Sequence, residues 1–258
     1  MKLDRHLKII DLITKKRAVK NEELMETFDI SIETVRRDLK FLEREGHLRR
    51  VYGGAVANIT LRTEPEYNSR SQVQNEAKSA IANAAINLIT KDDIVFMGVG
   101  TTVEAMAQYI NKIGKITVFT NALRTAAELS KNPECTVILP GGTLRPNELT
   151  LSGFPSEENF SNFNVGKAFI GIGGINESGV TDFHLGEAQL HRTVIKNAKT
   201  TIILADSDKL GVRAMNNVCS LEDVDYVITD KAASKQILKS FQKVGIKDFE
   251  LPIVIQRK

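Results

Sequence analysis

The stretch "SIETVRRDLKFLEREGHLRRVYGG", residues 31–54, decides how this chain is read. It holds six Arg or Lys residues, yet an apolar residue falls on every helical turn. Ile32, Val35, Leu39 and Leu42 follow a 3-4-3 spacing, which aligns one buried stripe along a helix. Arg36, Lys40 and Arg44 recur every four residues on another face, with Arg37 beside them. Ser31 and Thr34 precede or open the helix, and Gly46 is placed to stop it. Beyond it, "HLRRVYGGAV" alternates and ends on Gly53-Gly54, which predicts a short β-hairpin.

Working outward toward the N-terminus, "DRHLKIIDLITKK" places Leu7, Ile9, Ile10, Leu12 and Ile13 in a helical pattern. "VKNEELMETFDI" predicts a second, shorter helix, with Asn21 as its N-cap and Glu22 and Glu23 in the first turn, where acidic groups suit the helix dipole. Three helices with a tight connection before the third, then a hairpin, follow the plan of a winged helix-turn-helix, whose last helix enters the major groove of DNA. Ser31, Thr34, Arg36 and Arg37 are the groove candidates, because side chains near that helix's N-terminus reach base edges. Lys40, Arg49 and Arg50 suit phosphates, whose condensed counterions are released on binding. The competing reading is a solvated amphipathic helix whose cations pair with Glu33, Asp38, Glu43 and Glu45.

The charge distribution agrees with a separate basic module. Of 258 residues with net charge +3, the first 56 hold 13 Lys/Arg against 10 Asp/Glu, which leaves 22 of each sign for the rest. Such a length predicts two domains, and no apolar run approaches the eighteen or so residues that cross a bilayer. "MKLDRHLKII" mixes charge into its apolar positions and has no cleavable small-residue site, so a cytoplasmic protein without a secretory signal is expected. Cys135 and Cys219 stand 84 positions apart in apolar settings and read as buried thiols.

Between the modules, "NITLRTEPEYNSRSQVQNEAK" has no sustained apolar period and includes Pro65, so it reads as a linker that becomes helical near Asn75. The expected organisation is a DNA-binding domain over 1–57, a linker over 58–74 and an effector domain over 75–258. After Asn75, apolar runs of four to six residues ("DIVFM", "KITVFT", "CTVILP", "KAFIGIGGI", "TTIILAD", "DYVITD") alternate with helical patterns ("AKSAIANAAINLI", "VEAMAQYI", "LRTAAELS", "EAQLHRTVIKNA", "KAASKQILKSFQ"). That alternation predicts an α/β fold with a mostly parallel sheet covered on both faces, which gathers ligands beyond the carboxyl ends of its strands.

The loops leaving those strands suit an anion. "MGVGTTVEA" runs from strand to helix, so Gly100, Thr101 and Thr102 offer backbone N–H and hydroxyl donors. "TNALR" and "PGGT" repeat the theme with Asn121, Gly141 and Gly142. Neither the phosphate-loop pattern nor the dinucleotide fingerprint is present, since "GIGGIN" lacks the third glycine spacing, and this disfavours a nucleotide. "ADSDKLG" brings Asp206 and Lys209 to another strand end, where Lys209 neutralises a phosphate or pairs with Asp206. His184 and Glu187 fall before or within a helix start, and His191 reads as a surface histidine. No His/Cys/Asp grouping has metal-ligand spacing, so neither metal nor cofactor is expected.

"SIETVRRDLKFLEREGHLRRVYGGA" resembles the DNA-binding signature of the DeoR family of bacterial sugar-metabolism regulators, which implies that Arg36-Arg37-Asp38-Leu39 lies on the recognition helix. "GTT" at 100–102, "TNA" at 120–122, "PGGTLR" at 140–145, "GEA" at 186–188 and "ADSDKLG" at 205–211 stand in the order expected of that family's effector domain. The resemblance covers roughly 230 residues and adds Arg145 to the effector set. It implies a repressor of a carbohydrate operon that binds double-stranded operator DNA as a homo-oligomer and answers to a phosphorylated sugar or polyol, with no membrane partner. The family's effector domain is similar to ribose-5-phosphate isomerase, so the alternative is a sugar-phosphate isomerase with a DNA-binding appendage. Where the isomerase pattern has aspartates in a "DGAD"-like stretch, residues 171–174 here read "GIGG".

Overall fold

The computed structural model describes residues 2–16, 18–44, 48–57, 64–233, 241, 246–247 and 253–257. The chain forms two compact units, residues 1–61 and 62–258.

The first unit comprises α1 (Lys2–Lys16), β1 (Ala18–Lys20), α2 (Asn21–Phe28), α3 (Ile32–Arg44), β2 (Leu48–Val51) and β3 (Gly54–Ala57). Ile9, Ile13, Leu24, Val35, Leu39, Leu42 and Leu48 make its core, so three of the four stripe residues on α3 face inward and Ile32, at the helix start, is half-buried. The turn into α3 relies on Asp29, which takes a left-handed conformation (φ 49°) and donates its N–H to the Met25 carbonyl. The hairpin β2–β3 forms, and β1 adds a third antiparallel strand in the order β1-β3-β2. A three-residue strand shows no period, and only the fold reveals it. Helix α2 starts at Asn21 with Lys20 in the capping position, which corrects the expected cap. Asn21 instead donates its N–H to the Gly53 carbonyl at 2.9 Å and fastens the hairpin turn. The expected stop at Gly46 lies outside the described residues.

Asp38 departs from the solvated-helix reading. It is fully buried and accepts hydrogen bonds from Arg5 Nε at 2.7 Å and His6 Nε2 at 3.0 Å, both on α1. The His6 ring in turn stacks on Phe41 of α3, 4.9 Å between centroids. Burial alone would raise the Asp38 carboxyl, but the bonds from Arg5 and His6 outweigh it and hold the group below its ordinary value.

The second unit opens with α4 (Tyr67–Gln72) and α5 (Asn75–Ile86), so the stretch read as a linker already contains a helix. It continues with β4 (Ile94–Met97), α6 (Thr101–Ala107), β5 (Ile116–Thr120), α7 (Leu123–Leu129), β6 (Cys135–Ile138), the hairpin β7 (Thr143–Arg145) and β8 (Thr150–Ser152), and α8 (Phe154–Ser161). Then come β9 (Val165–Gly171), β10 (Gly174–Asn176), β11 (Gly179–Asp182), α9 (Leu185–Asn197), β12 (Ala198–Leu204), β13 (Asn216–Cys219), β14 (Tyr226–Thr229), β15 (Ile246–Lys247) and β16 (Ile253–Arg257). The main sheet runs β15-β16-β14-β12-β9-β4-β5-β6, parallel from β14 to β6 and antiparallel at β16. Two apolar clusters, one around Phe96, Phe160 and Ile203 and one around Ile81, Met97 and Phe169, cover its two faces. The small sheet β10-β11-β13 and the β7–β8 hairpin were not expected, because their strands are too short to show alternation. The helix expected over "KAASKQILKSFQ" lies largely outside the described residues. Both cysteines are free thiols, only half-buried.

Replacing Asp38 with Asn removes the charge that Arg5 and His6 share. A fully buried pair broken on one side costs about 3–5 kcal/mol; Arg5 keeps 22% of its side chain in water, so about 2 kcal/mol is expected. Amide hydrogen exchange across α1 and α3 should accelerate roughly thirtyfold near pH 7. Because the folded carboxyl lies below its ordinary value, the wild-type advantage is complete above about pH 4 and disappears as pH falls through the folded value. Equal exchange at pH 7, or an advantage that persists in strong acid, would contradict the assignment.

Candidate functional site

Helix α3 is begun by Ser31, whose Oγ accepts the Thr34 N–H at 3.3 Å and lies 3.2 Å from Thr34 Oγ1. Ser31, Arg36, Arg37 and Lys40 are exposed, and Thr34 is half-buried. Arg49 and Arg50 project from β2, both exposed. Of the carboxylates on α3, Asp38 turns inward and Glu43 takes Arg50, accepting its Nε at 2.7 Å and its backbone N–H at 2.8 Å. Those bonds, the backbone one foremost, hold the Glu43 carboxyl below its ordinary value and tie the hairpin to α3. Arg36, Arg37, Lys40 and Arg49 have no carboxylate within 4 Å among the described residues. The sequence placed all seven candidates on one helix and one hairpin; pairing sets Arg50 apart from the rest.

In the second unit, β4 and β9 are adjacent although β5 and β6 extend the sheet one way and β12 and β14 the other. The loops after β4 and β9 therefore part, as they must at such a reversal. A cavity of about 260 Å³ opens there, lined by Gly100, Thr101 and Thr102 from the β4–α6 turn and by Gly171, Ile172 and Gly173 after β9. Asp206, Asp208 and Lys209 enter from the end of β12, and Phe183 closes one side. Glycine is required at two of these positions: Gly100 has φ +126°, and a Cβ on Gly171 would run into the Val99 carbonyl. No side chain caps the start of α6.

The cavity is cationic for a reason the sequence did not disclose. Arg70 and Lys78, from α4 and α5, line it together with Lys209. Lys209 is not on a carboxylate among the described residues; its ammonium lies 5.5 Å from the centre of the Phe183 ring. Burial pushes the Lys209 and Lys78 ammonium groups down, and it pushes the Asp206 carboxyl up. One Asp206 oxygen is buried without a hydrogen-bond partner, and of the two readings of Lys209, phosphate partner or ion pair with Asp206, the ion pair is not formed.

Other expected effector residues lie elsewhere. Asn121 is buried and donates Nδ2 to the Leu151 carbonyl at 3.0 Å, which fixes β8 beside the end of β5. Gly141 and Gly142 form a left-handed turn against α8, where the Gly141 carbonyl accepts Ser156 Oγ and a Cβ on Gly142 would collide with the same hydroxyl. Glu187, in the first turn of α9, is buried and bonded to Thr150 Oγ1 at 2.7 Å and Arg145 at 3.2 Å. Burial, with Asp182 nearby, pushes the Glu187 carboxyl up. Asp182 also lies 3.5 Å from His191, which is wholly buried beneath Gly98 rather than on the surface. Thus Gly100, Thr101, Thr102, Asp206 and Lys209 converge on the cavity, and Arg145 and Glu187 form a neighbouring ionic cluster. Among the described residues no group of His, Cys, Asp and Glu is arranged to hold a metal, and no helix is long and apolar enough to cross a membrane.

Comparison with known proteins agrees with this division. Residues 5–60 match the DeoR-like helix-turn-helix domain, and residues 73–231 match the DeoR C-terminal sensor domain. The HTH-type transcriptional regulator GolR of Listeria innocua is 33% identical over 244 residues, covering 94% of this chain and 96% of that protein. The glycerol-3-phosphate regulon repressor of Escherichia coli is 32% identical over 227 residues, covering 88% of this chain and 90% of its own. Among solved structures, ribose 5-phosphate isomerase A from Neisseria gonorrhoeae overlaps 72% of this chain and 77% of its own at 14% identity, with a TM-score of 0.37. The winged fold of the first unit, the parallel sheet of the second, and both family matches place the chain in the DeoR family of helix-turn-helix transcriptional regulators.

Proposed function

We propose that this regulator represses a carbohydrate-utilisation operon, reading double-stranded operator DNA through α3 and the β2–β3 hairpin, and releases it when a phosphorylated sugar or polyol occupies the cavity. The operator half rests on four exposed cations, Arg36, Arg37, Lys40 and Arg49, without carboxylate partners among the described residues, on a capped helix and its hairpin. Unneutralised cations on a helix end are suited to phosphates and base edges, and a solvated helix would pair them. The effector half rests on Lys209, a half-buried ammonium without a carboxylate partner among the described residues, in a cavity also lined by Thr101, Thr102, Arg70 and Lys78. A relative 32% identical to this chain is named for a glycerol-3-phosphate regulon, and that name fits a phosphorylated polyol as ligand.

One winged module makes few base contacts, whereas a two-fold pair reads half-sites about one helical turn apart, so a homo-oligomer is proposed. The ligand acts by favouring one of two arrangements of the paired modules, and it does so only to the extent that it binds them with different affinity. DNA as partner makes the cytoplasm the working compartment.

Arg36→Ala and Arg37→Ala should each weaken operator binding by about 1–3 kcal/mol if they read bases, with relaxed preference at the contacted positions. Unaltered affinity in both variants, measured by fluorescence anisotropy at fixed salt, would remove them from the interface. Lys209→Ala should lower affinity for the phosphorylated ligand by about 10- to 100-fold, since one charge-assisted bond contributes about 1.5–3 kcal/mol. A calorimetric titration in which Lys209→Ala binds like the wild type would place the anion elsewhere.

The isomerase alternative needs a base free to reach a proton beside a carbonyl. Glu187 is instead engaged by Arg145 and Thr150, and residues 171–174 supply no carboxylate. Incubating the protein with pentose and hexose phosphates should give no isomer by NMR; turnover would establish the enzyme.

A further inference from the structure

Residues 64–72 precede the span that matches the sensor domain, yet they belong to the same compact unit and lie across its cavity. None of the side chains described in 64–74 is fully buried, so no apolar core holds this strap. Polar bonds hold it. The Arg70 guanidinium pairs with Glu148 on the β7–β8 hairpin and with Glu64 at 3.2 Å, and its Nε donates to the Pro65 carbonyl at 3.0 Å. Glu64 also pairs with Arg145, which reaches on to Glu187 at 3.2 Å. Tyr67 donates its hydroxyl to Glu104 at 2.7 Å and lies beneath Arg124, 3.8 Å from its ring centre. From below, Lys78 donates to the Arg70 carbonyl and to that of Val73, the latter at 2.6 Å.

Arg70 thus belongs to two systems at once. Its side chain lines the cavity that holds Lys78 and Lys209, and one terminal nitrogen of its guanidinium, Nη2, is held by two carboxylates that do not line that cavity. A guanidinium binds a phosphate oxygen pair as readily as a carboxylate pair, with matching planar geometry. We propose that Arg70 is an anion-binding residue of the cavity, held by Glu148 and Glu64 when no anion is present and taken over by the ligand's phosphate when one arrives. The exchange unlatches the strap that directly follows the DNA-binding unit in the chain, and it makes Glu148 a competitor of the ligand. This inference rests on the phosphorylated-ligand reading of the cavity, and it identifies how occupancy is passed to the strap.

A competitor has a signature that a structural contact lacks: neutralising it raises ligand affinity. The full-length protein is titrated calorimetrically with inorganic phosphate and with a panel of hexose, pentose and polyol phosphates. Glu148→Gln, which keeps the backbone carbonyl used by Arg124, should tighten binding about three- to tenfold and shift ligand-driven operator release to correspondingly lower concentration. Arg70→Ala should weaken binding at least tenfold, and the double variant should recover none of it, because the competition is then absent. Arg70→Lys keeps the charge without the fork and gives the same direction should the alanine variant fold poorly. If a panel member binds the wild type but Glu148→Gln binds no more tightly, or Arg70→Lys binds equally well, the exchange is overturned while the phosphorylated-ligand reading stands. If no panel member binds the wild type, that reading falls and the exchange with it.

Discussion

The reversal between β4 and β9 is the constraint on which the sensor unit depends. A parallel sheet that grows in both directions from a shared pair of strands cannot cover the carboxyl ends of those two with one connection. The turn after β4 leaves toward α6 and the loop after β9 leaves toward β10, so a gap opens between Gly100 and Gly173. The two chains must still touch at the base of that gap. Gly171 permits it by having no Cβ to meet the Val99 carbonyl, and Gly100 turns with a dihedral that other residues rarely adopt. The cavity follows from this topology; its charge follows from what lines it.

In the DNA-binding unit a comparable role falls to the inner side of α3. Val35, Leu39 and Leu42 bury against α1 and α2, but apolar contact alone leaves a helix free to slide or rotate by small amounts. Asp38 adds directional bonds to Arg5 and His6, directly after Arg36 and Arg37 in the chain. The two exposed arginines are thus set by a buried acidic neighbour. On the outer side, Glu43 joins Arg50 of the hairpin to the same helix through a side-chain and a backbone bond.

The two units differ in how their working parts are fastened. The exposed cationic face of α3 is backed by a core and a buried ionic bond, which favours a fixed geometry. The strap over the cavity has neither; it is held by ion pairs that keep part of their surface in water. Such pairs exchange partners more readily than a fully buried one, which suits the response proposed for the strap. Tyr67 is fastened by its bond to Glu104, and burial with that bond pushes the phenol up to about 12.

The first unit was largely legible in the sequence, because its elements are local. The α3 stripe, the Ser31 cap and the hairpin each express themselves within a dozen residues, and the cations on the exposed face share the helix period. The alternation of apolar runs and helical patterns likewise determined the parallel α/β class. What the sequence alone could not decide was which residues meet. Arg70 and Lys78 stand more than a hundred positions from Asp206 and Lys209, in a stretch with no apolar period, and only the packing of α4 and α5 across the strand ends joins them. Asp38 and His191 looked solvated because nothing local distinguishes a carboxylate facing water from one facing an arginine on another helix. Local periodicity determines which side of an element is buried; the partner that a buried or half-buried charge finds there is a long-range property, decided by tertiary structure.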